Sequence, residues 1–253
     1  MAMTDSGQIQ KTVVVLGLAR SGTSVITGIL RILGVEMGSS VNDKANPYGS
    51  FEDRDFALLH REIFELASRG SSYWNPPGEQ KILDVKERVR SAIAEIVARK
   101  SSGRAIWGWK HPRTILTLEL FLPVLTNPHL VAVFRNPLGI AHSSVEHTKN
   151  YQSGRVDLLQ ALQLTDFYHG KMVKILETHR DVPTVCTAFE DVVNDPVKEA
   201  KKLAAFLELD LTEKKVAAIQ SLVISRDRID EEKRRRAGVF GGKLPRWIRN
   251  ALR

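Results

Sequence analysis

The stretch Lys11 to Leu33, KTVVVLGLARSGTSVITGILRIL, constrains the fold more than any other part of the chain. An apolar run, Val13 to Leu16, reads as a buried strand, and the 3.6-residue spacing of Ile26, Ile29, Leu30 and Leu33 reads as a helix from Ser24 that Gly34 ends. Between them the chain must reverse within a few residues, and Gly17 and Gly22 supply the backbone freedom for that. The first N–H groups of the helix lack intrahelical partners and point at one spot, so the turn is an anion site. Arg20, Ser21, Thr23 and Ser24 add a cation and three hydroxyls.

Set against the phosphate-binding pattern G-x-x-x-x-G-K-[ST], GLARSGTS keeps both glycines but has Thr23 at the lysine position. The charge that would reach a nucleotide's β- and γ-phosphates is missing there, and Arg20 offers one from two residues before the second glycine. A net charge of +8 implies an anionic partner without choosing among nucleotide, nucleic acid, acidic glycan or membrane surface. One cysteine, Cys186, rules out an internal disulfide and a cysteine metal cluster; the reading makes it a packed core residue and the compartment a reducing one. No signal-peptide core or membrane-length apolar run is present, so the chain is expected to be cytoplasmic.

The remaining pattern alternates strands and helices. Helices are predicted over Asp53–Ser68, around Val85 to Val97, over Asp157–His179, Asp195–Leu207 and Thr212–Leu222; strands over Ala105–Trp109, His129–Phe134 and Pro183–Ala188. Val35–Phe51 and Gly70–Gly78 read as loops, with Tyr73 and Trp74 covering the core or lining a pocket. Alternation of this kind implies a mostly parallel sheet flanked by helices, a three-layer α/β sandwich of the P-loop NTPase type. The 253 residues suit one domain, with a flexible N-terminus over 1–10 and a basic segment over 226–253. Lys110-His111-Pro112 and Arg135-Asn136-Pro137 follow predicted strands, where ligands of such sheets bind.

Together these stretches resemble the PAPS-dependent sulfotransferases, which move a sulfuryl group from 3′-phosphoadenosine 5′-phosphosulfate to a hydroxyl or amine. Arg20-Ser21-Gly22-Thr23-Ser24 is similar to the family's [KR]-S-G-T-[ST] turn, which holds the 5′-phosphosulfate. Arg135-Asn136-Pro137, with Ser143 eight residues after the arginine, resembles the family's second motif and implies contact with the 3′-phosphate. Phe189 to Leu209 looks like a late family segment, but Phe189 stands where many relatives have tyrosine and lacks a hydroxyl, so it is not counted in the site. Arg235, Arg236 and Gly238, in the run from Arg234, resemble a basic loop that closes on the 3′-phosphate. Lys110 matches a lysine that relatives place after the corresponding strand. Some relatives follow it with a histidine base and others use a glutamate after the first helix, which leaves His111 and Glu52 as alternatives.

The resemblance implies PAPS as donor and PAP as product. In-line transfer requires a base for the acceptor hydroxyl and stabilisation of the departing phosphate oxygen, roles that His111 or Glu52 and Arg20 with Lys110 can fill without a metal. His142 and His147 do not have the i, i+4 spacing of a zinc pair. The acceptor stays open among small molecule, glycan and lipid, and Trp247, Ile248 and Leu252 beside Arg246, Arg249 and Arg253 leave contact with a membrane surface open too. Two other functions remain: a P-loop small-molecule kinase, against which Thr23 counts, and a non-enzymatic protein that binds nucleotide or polyanion. No nucleic-acid-reading module is recognisable.

Overall fold

The computed structural model describes residues 10–38, 51–149 and 156–223. In chain order its elements are β1 (Lys11–Leu16), α1 (Thr23–Leu33), α2 (Arg54–Ala67), α3 (Glu79–Asp84), α4 (Lys86–Ser101), β2 (Ile106–Lys110), α5 (Thr114–Phe121), β3 (Pro128–Phe134), α6 (Pro137–Thr148), α7 (Leu158–Thr178), β4 (Thr184–Ala188), α8 (Phe189–Asn194) and α9 (Pro196–Leu207). A further helix, α10, covers 213–223. The strands form one sheet in the order β2-β1-β3-β4, and every pairing is parallel. Parallel neighbours need crossovers, and helices supply each of them.

Alternate residues of each strand face opposite layers. Val14, Leu16, Trp107, Trp109, Leu130 and Ala132 pack on α2, α4, α5 and α7, while Val13, Val15, Val131, Val133 and Val185 pack on α1, α9 and α10. Val13 to Leu16 have no exposed surface, so β1 reads as a continuous apolar run because both of its faces are covered. This is the three-layer α/β sandwich expected.

Three differences have physical reasons. The helix expected around Val85–Val97 is α4, and a short helix not read from the sequence, α3, precedes it and meets it at Val85, which ends one and starts the next. The break lets Ile82, Val85 and Val89 all reach the core. Helix α5 went unread because TILTLELF has no polar face: Thr114, Ile115, Thr117, Leu118, Leu120 and Phe121 are all buried. Cys186 is exposed rather than packed in the core. Its strand is at the edge of the sheet and buries Val185 and Thr187, so the residue between them faces outward.

Among the described residues no helix is long and apolar enough to cross a membrane. The N-terminal residues 1–9, most of the loop expected over Val35–Phe51 and the basic segment over 226–253 lie outside the described residues.

Candidate active site

The sheet's carboxyl edge brings the separate motifs together. Lys110 pairs in register with Val15 and Ala132 with Leu16, so the ends of β2 and β3 flank the turn that leaves β1. Within that turn the Ser21 hydroxyl and N–H both donate to the Leu18 carbonyl, at 2.7 and 3.1 Å, which curls the chain. Arg20 (φ 71) occupies the left-handed region, a strain that non-glycine residues carry mainly where surroundings impose it. The surroundings are visible: Arg135 Nη1 donates to the Arg20 carbonyl at 2.8 Å, and Arg20 Nε donates to Ser143 Oγ at 2.9 Å. Two guanidinium-bearing residues 115 positions apart are thus locked to each other's motif. The lock brings two cationic residues to the same turn, where an anion is favoured.

The local sequence accounts for the second motif. Asn136 caps α6 by accepting from the Leu138 N–H at 3.0 Å, and Pro137 takes the first helical position, where its missing N–H costs nothing. Ser143 then falls two turns into the helix, on the side facing Arg20.

Gly22 opens α1 with φ 91, and a Cβ there would lie 2.2 Å from Phe189 Cδ2. The glycine is required by both its dihedral and its neighbour. Thr23 is buried and Ser24 follows it in the first turn. The Phe189 ring in turn lies under Arg135, with Cζ 4.4 Å from the ring centroid. Phe189, set aside from the sequence, therefore walls the cradle as an aromatic surface, a role that needs no hydroxyl.

On the opposite flank, Glu52 precedes α2, whose cap is the buried Asp53 accepting from the Asp55 and Phe56 N–H groups. Lys110 Nζ donates to Glu52 Oε1 at 2.8 Å, and His111 Nε2 stands 3.8 Å from Oε2, beyond a hydrogen bond. Of the four residues predicted for the reacting centre, Lys110, His111 and Glu52 therefore meet, while the Arg20 side chain is bonded to Ser143. His111 Nδ1 accepts the Arg113 N–H at 3.3 Å, so the neutral ring carries its proton on Nε2, towards Glu52. Burial, and then the charges of Arg113 and Lys110, hold the His111 pKa well below the ordinary histidine value.

Beneath His111 lies His60, stacked on it at 4.5 Å and fully buried. Trp109 Nε1 donates to Thr114 Oγ1 at 3.2 Å, Thr114 Oγ1 reaches His60 Nε2 at 3.0 Å, and His60 Nδ1 reaches Thr117 Oγ1 at 3.1 Å. Thr117 donates onward to the Arg113 carbonyl. The chain of bonds fits a neutral His60 donating through Nδ1, and burial pushes its pKa well down as well.

Tyr73 reaches the turn itself: its hydroxyl accepts the Ala19 N–H at 3.1 Å, and its ring stacks on Tyr168 at 4.8 Å. It both covers the core and touches the anion turn. Tyr73, His60, Arg113 and Phe189 were not counted in the site from the sequence; of these, Tyr73, beside Trp74 in a loop rich in Gly, Ser and Pro, and Phe189, at the head of the late family-like segment, carried a signal. Arg235, Arg236 and Gly238 lie outside the described residues.

Parallel strands in this order, helices on both faces and such a turn at the carboxyl edge define an α/β protein of the P-loop type. The family is narrower than the fold. The chain belongs to the Sulfotransferase family, which matches it over residues 12–213. Among solved structures, it is similar to a sulfotransferase domain from the curacin biosynthetic pathway at 14% identity and TM-score 0.53, covering 83% of this chain and 78% of that one. The sulfotransferase domain of the Synechococcus PCC 7002 olefin synthase gives 18% identity and TM-score 0.51, with 86% and 78% covered. A sulfotransferase from Mycobacterium avium gives 14% and 0.53, with 87% and 69% covered. At such identities the likeness is one of fold. No curated protein matches the sequence.

Proposed function

We propose that this chain transfers a sulfuryl group from PAPS to a hydroxyl acceptor. The observation that carries the reading is the lock between the two motifs, Arg135 to the Arg20 carbonyl and Arg20 to Ser143, which builds one cationic cradle at the turn. The residues fit a donor with phosphate at both ends. Gly22 lets the Phe189 ring close against the turn, the first N–H groups of α1 face the turn, and Arg20, Arg135 and Ser143 add charge and hydrogen bonds. By resemblance Arg20, Ser21, Gly22, Thr23 and Ser24 hold the 5′ end and Arg135 and Ser143 the 3′-phosphate, with Arg235, Arg236 and Gly238 adding to the latter.

When bound, PAPS supplies the activated sulfuryl group and leaves as PAP. As the acceptor oxygen bonds to sulfur and the bond from sulfur to the 5′-phosphate oxygen breaks, negative charge builds on that oxygen. Arg20, Lys110 and the turn's N–H groups hold this charge, a task assigned to side chains and backbone rather than to a metal. Glu52 takes the hydroxyl proton. His111 is poorly placed for that, because Nδ1 accepts from Arg113 and Nε2 already bears the proton. Its Nε2–H lies on the side of Glu52, 3.8 Å from Oε2, and shapes the carboxylate's surroundings without a hydrogen bond to it. Lys110 pairs with Glu52 at 2.8 Å, so an anion in the turn competes for the lysine and frees the carboxylate to act as base.

The reading extends to a cytoplasmic enzyme acting on a small-molecule, glycan or lipid acceptor. It is tested by isothermal titration with PAP and with ATP–Mg²⁺. PAP should bind tightly, and Arg20→Ala should weaken it at least about tenfold, the loss expected for a charge-assisted contact. Tight ATP–Mg²⁺ binding with none to PAP would make the protein a kinase, and weak, steeply salt-dependent binding of both would make it a polyanion binder.

A further inference from the structure

A cavity of about 870 Å³ opens between the 72–79 loop and α7, lined among others by Tyr73, Trp74, Pro77, Leu164, Phe167 and Arg113. Its volume suits a small molecule. Two of its walls are bonded to the site already described. Tyr73 receives the Ala19 N–H of the anion turn, and the Arg113 N–H is the donor to His111 Nδ1. A ligand seated here lies one residue away from the turn, through Tyr73, and from His111, through Arg113.

The charges of the lining are unequal. Glu79 is consumed by Lys171 and by Lys174, the latter at 2.9 Å. Arg113 has no ion-pair partner among the described residues, and its buried Nε has no hydrogen-bond partner there. Its guanidinium lies over the Phe64 ring at 5.0 Å, and burial pulls its pKa below the ordinary arginine value. The nearest carboxylate that acts on it, Glu52, is already engaged by Lys110. Arg113 is partly buried in the cavity wall and its Nε is out of reach of water, so a neutral ligand group would satisfy the orphaned Nε but only an anion would also pair the charge.

We propose that the acceptor is an amphiphile: an aromatic or apolar body between the Tyr73–Trp74 loop and α7, and an anionic oxygen group paired with Arg113. That this ligand is the molecule sulfated rests on the sulfotransferase reading above; its seat on Arg113 does not.

The test uses the full chain and two probes, 3-(4-hydroxyphenyl)propanoate and its methyl ester, with PAP titrated into the same samples. The acid should bind at least about tenfold more tightly than the ester, the scale of one charge-assisted pair. In Arg113→Met, which keeps an apolar stem over Phe64, the gap should fall below about threefold while PAP affinity stays unchanged. The proposal is overturned if the ester binds as well as the acid, if neither binds at its solubility limit, or if the variant keeps the gap. The wild-type comparison stands even where the variant fails to fold. Loss of PAP binding with the acid–ester gap intact would sink the donor reading alone, and PAP binding without a gap would sink this one alone.

Discussion

At the scale of the residue, the two candidate bases are separated by one hydrogen bond. Because the Arg113 N–H occupies His111 Nδ1, Glu52→Gln should lower kcat by about a hundredfold or more with PAP affinity kept, whereas His111→Gln should cost distinctly less. Steady-state rates for the two variants decide it, and equal losses would return the histidine to the role of base. Gly22→Ala makes a second case. Its φ of 91 and the 2.2 Å approach to Phe189 mean the new methyl displaces the ring that Arg135 covers, so PAP affinity should drop at least about tenfold, read by titration. Arg20, Arg135 and Ser143 were legible because their chemistry sits in short spaced motifs. Tyr73 and Arg113 were not, since what defines them is a contact across 54 positions to Ala19 in one case and a cavity wall in the other.

At the scale of the element, the start of α2 sets where Glu52 points. Asp53 is 1% exposed, accepts two N–H groups of the helix and receives Lys100 Nζ at 2.6 Å. Asp53→Ala removes the cap and strands the lysine on Asp55, and is expected to cost about 2 kcal/mol, checked by denaturant unfolding. It should also slow turnover, because Glu52 is the neighbouring residue; a stability loss with unchanged kcat would show that the cap does not position the base. Farther along the same helix, Phe56 stacks on Trp109 at 4.4 Å with planes 3° apart. Phe56→Ala should lower stability by about 3–5 kcal/mol through the cavity it leaves. The stripe Phe56, Leu59, Ile63 was readable from its period, and α5 was not, because a helix buried on nearly every side has no period to read.

At the scale of the whole molecule, four imidazoles are held below their ordinary pKa by burial: His60, His111, His129 and His169. In the unfolded chain each titrates near its ordinary value, about 6.5. Between that value and the lower native one the unfolded state binds more protons, so stability is complete above about pH 6.5 and falls as acid is added. The fully buried His60 and His111 carry most of this dependence, each with a slope of up to about 1.4 kcal/mol per pH unit in that window, and the half-buried His129 and His169 carry less. Paired carboxylates such as Asp55 and Glu79, whose pKa values are lowered, act below the ordinary carboxylate range and leave pH 5 to 6.5 to the histidines. The melting temperature should therefore decline from pH 7 to pH 5, and His60→Gln should flatten the decline; a flat wild-type profile contradicts the assignment.

The sequence by itself determined the layer architecture and which motifs stand at the carboxyl edge of the sheet. Strand-turn-helix punctuation, apolar periodicity and the arginine-serine spacing are local properties, and local properties survive in one dimension. Even there, Cys186 was misplaced, because the order of strands that puts β4 at the edge is not a local property. Only the tertiary structure decided how the motifs meet: that Arg135 holds the Arg20 carbonyl, that the tautomer of His111 is set by Arg113, and that Arg113, with no ion-pair partner among the described residues, lines an adjoining cavity. Those facts depend on chain segments tens of residues apart arriving at the same edge of a parallel sheet. The turn at Gly17 to Gly22 is written in the local sequence, and the partners that surround it are set by the packing.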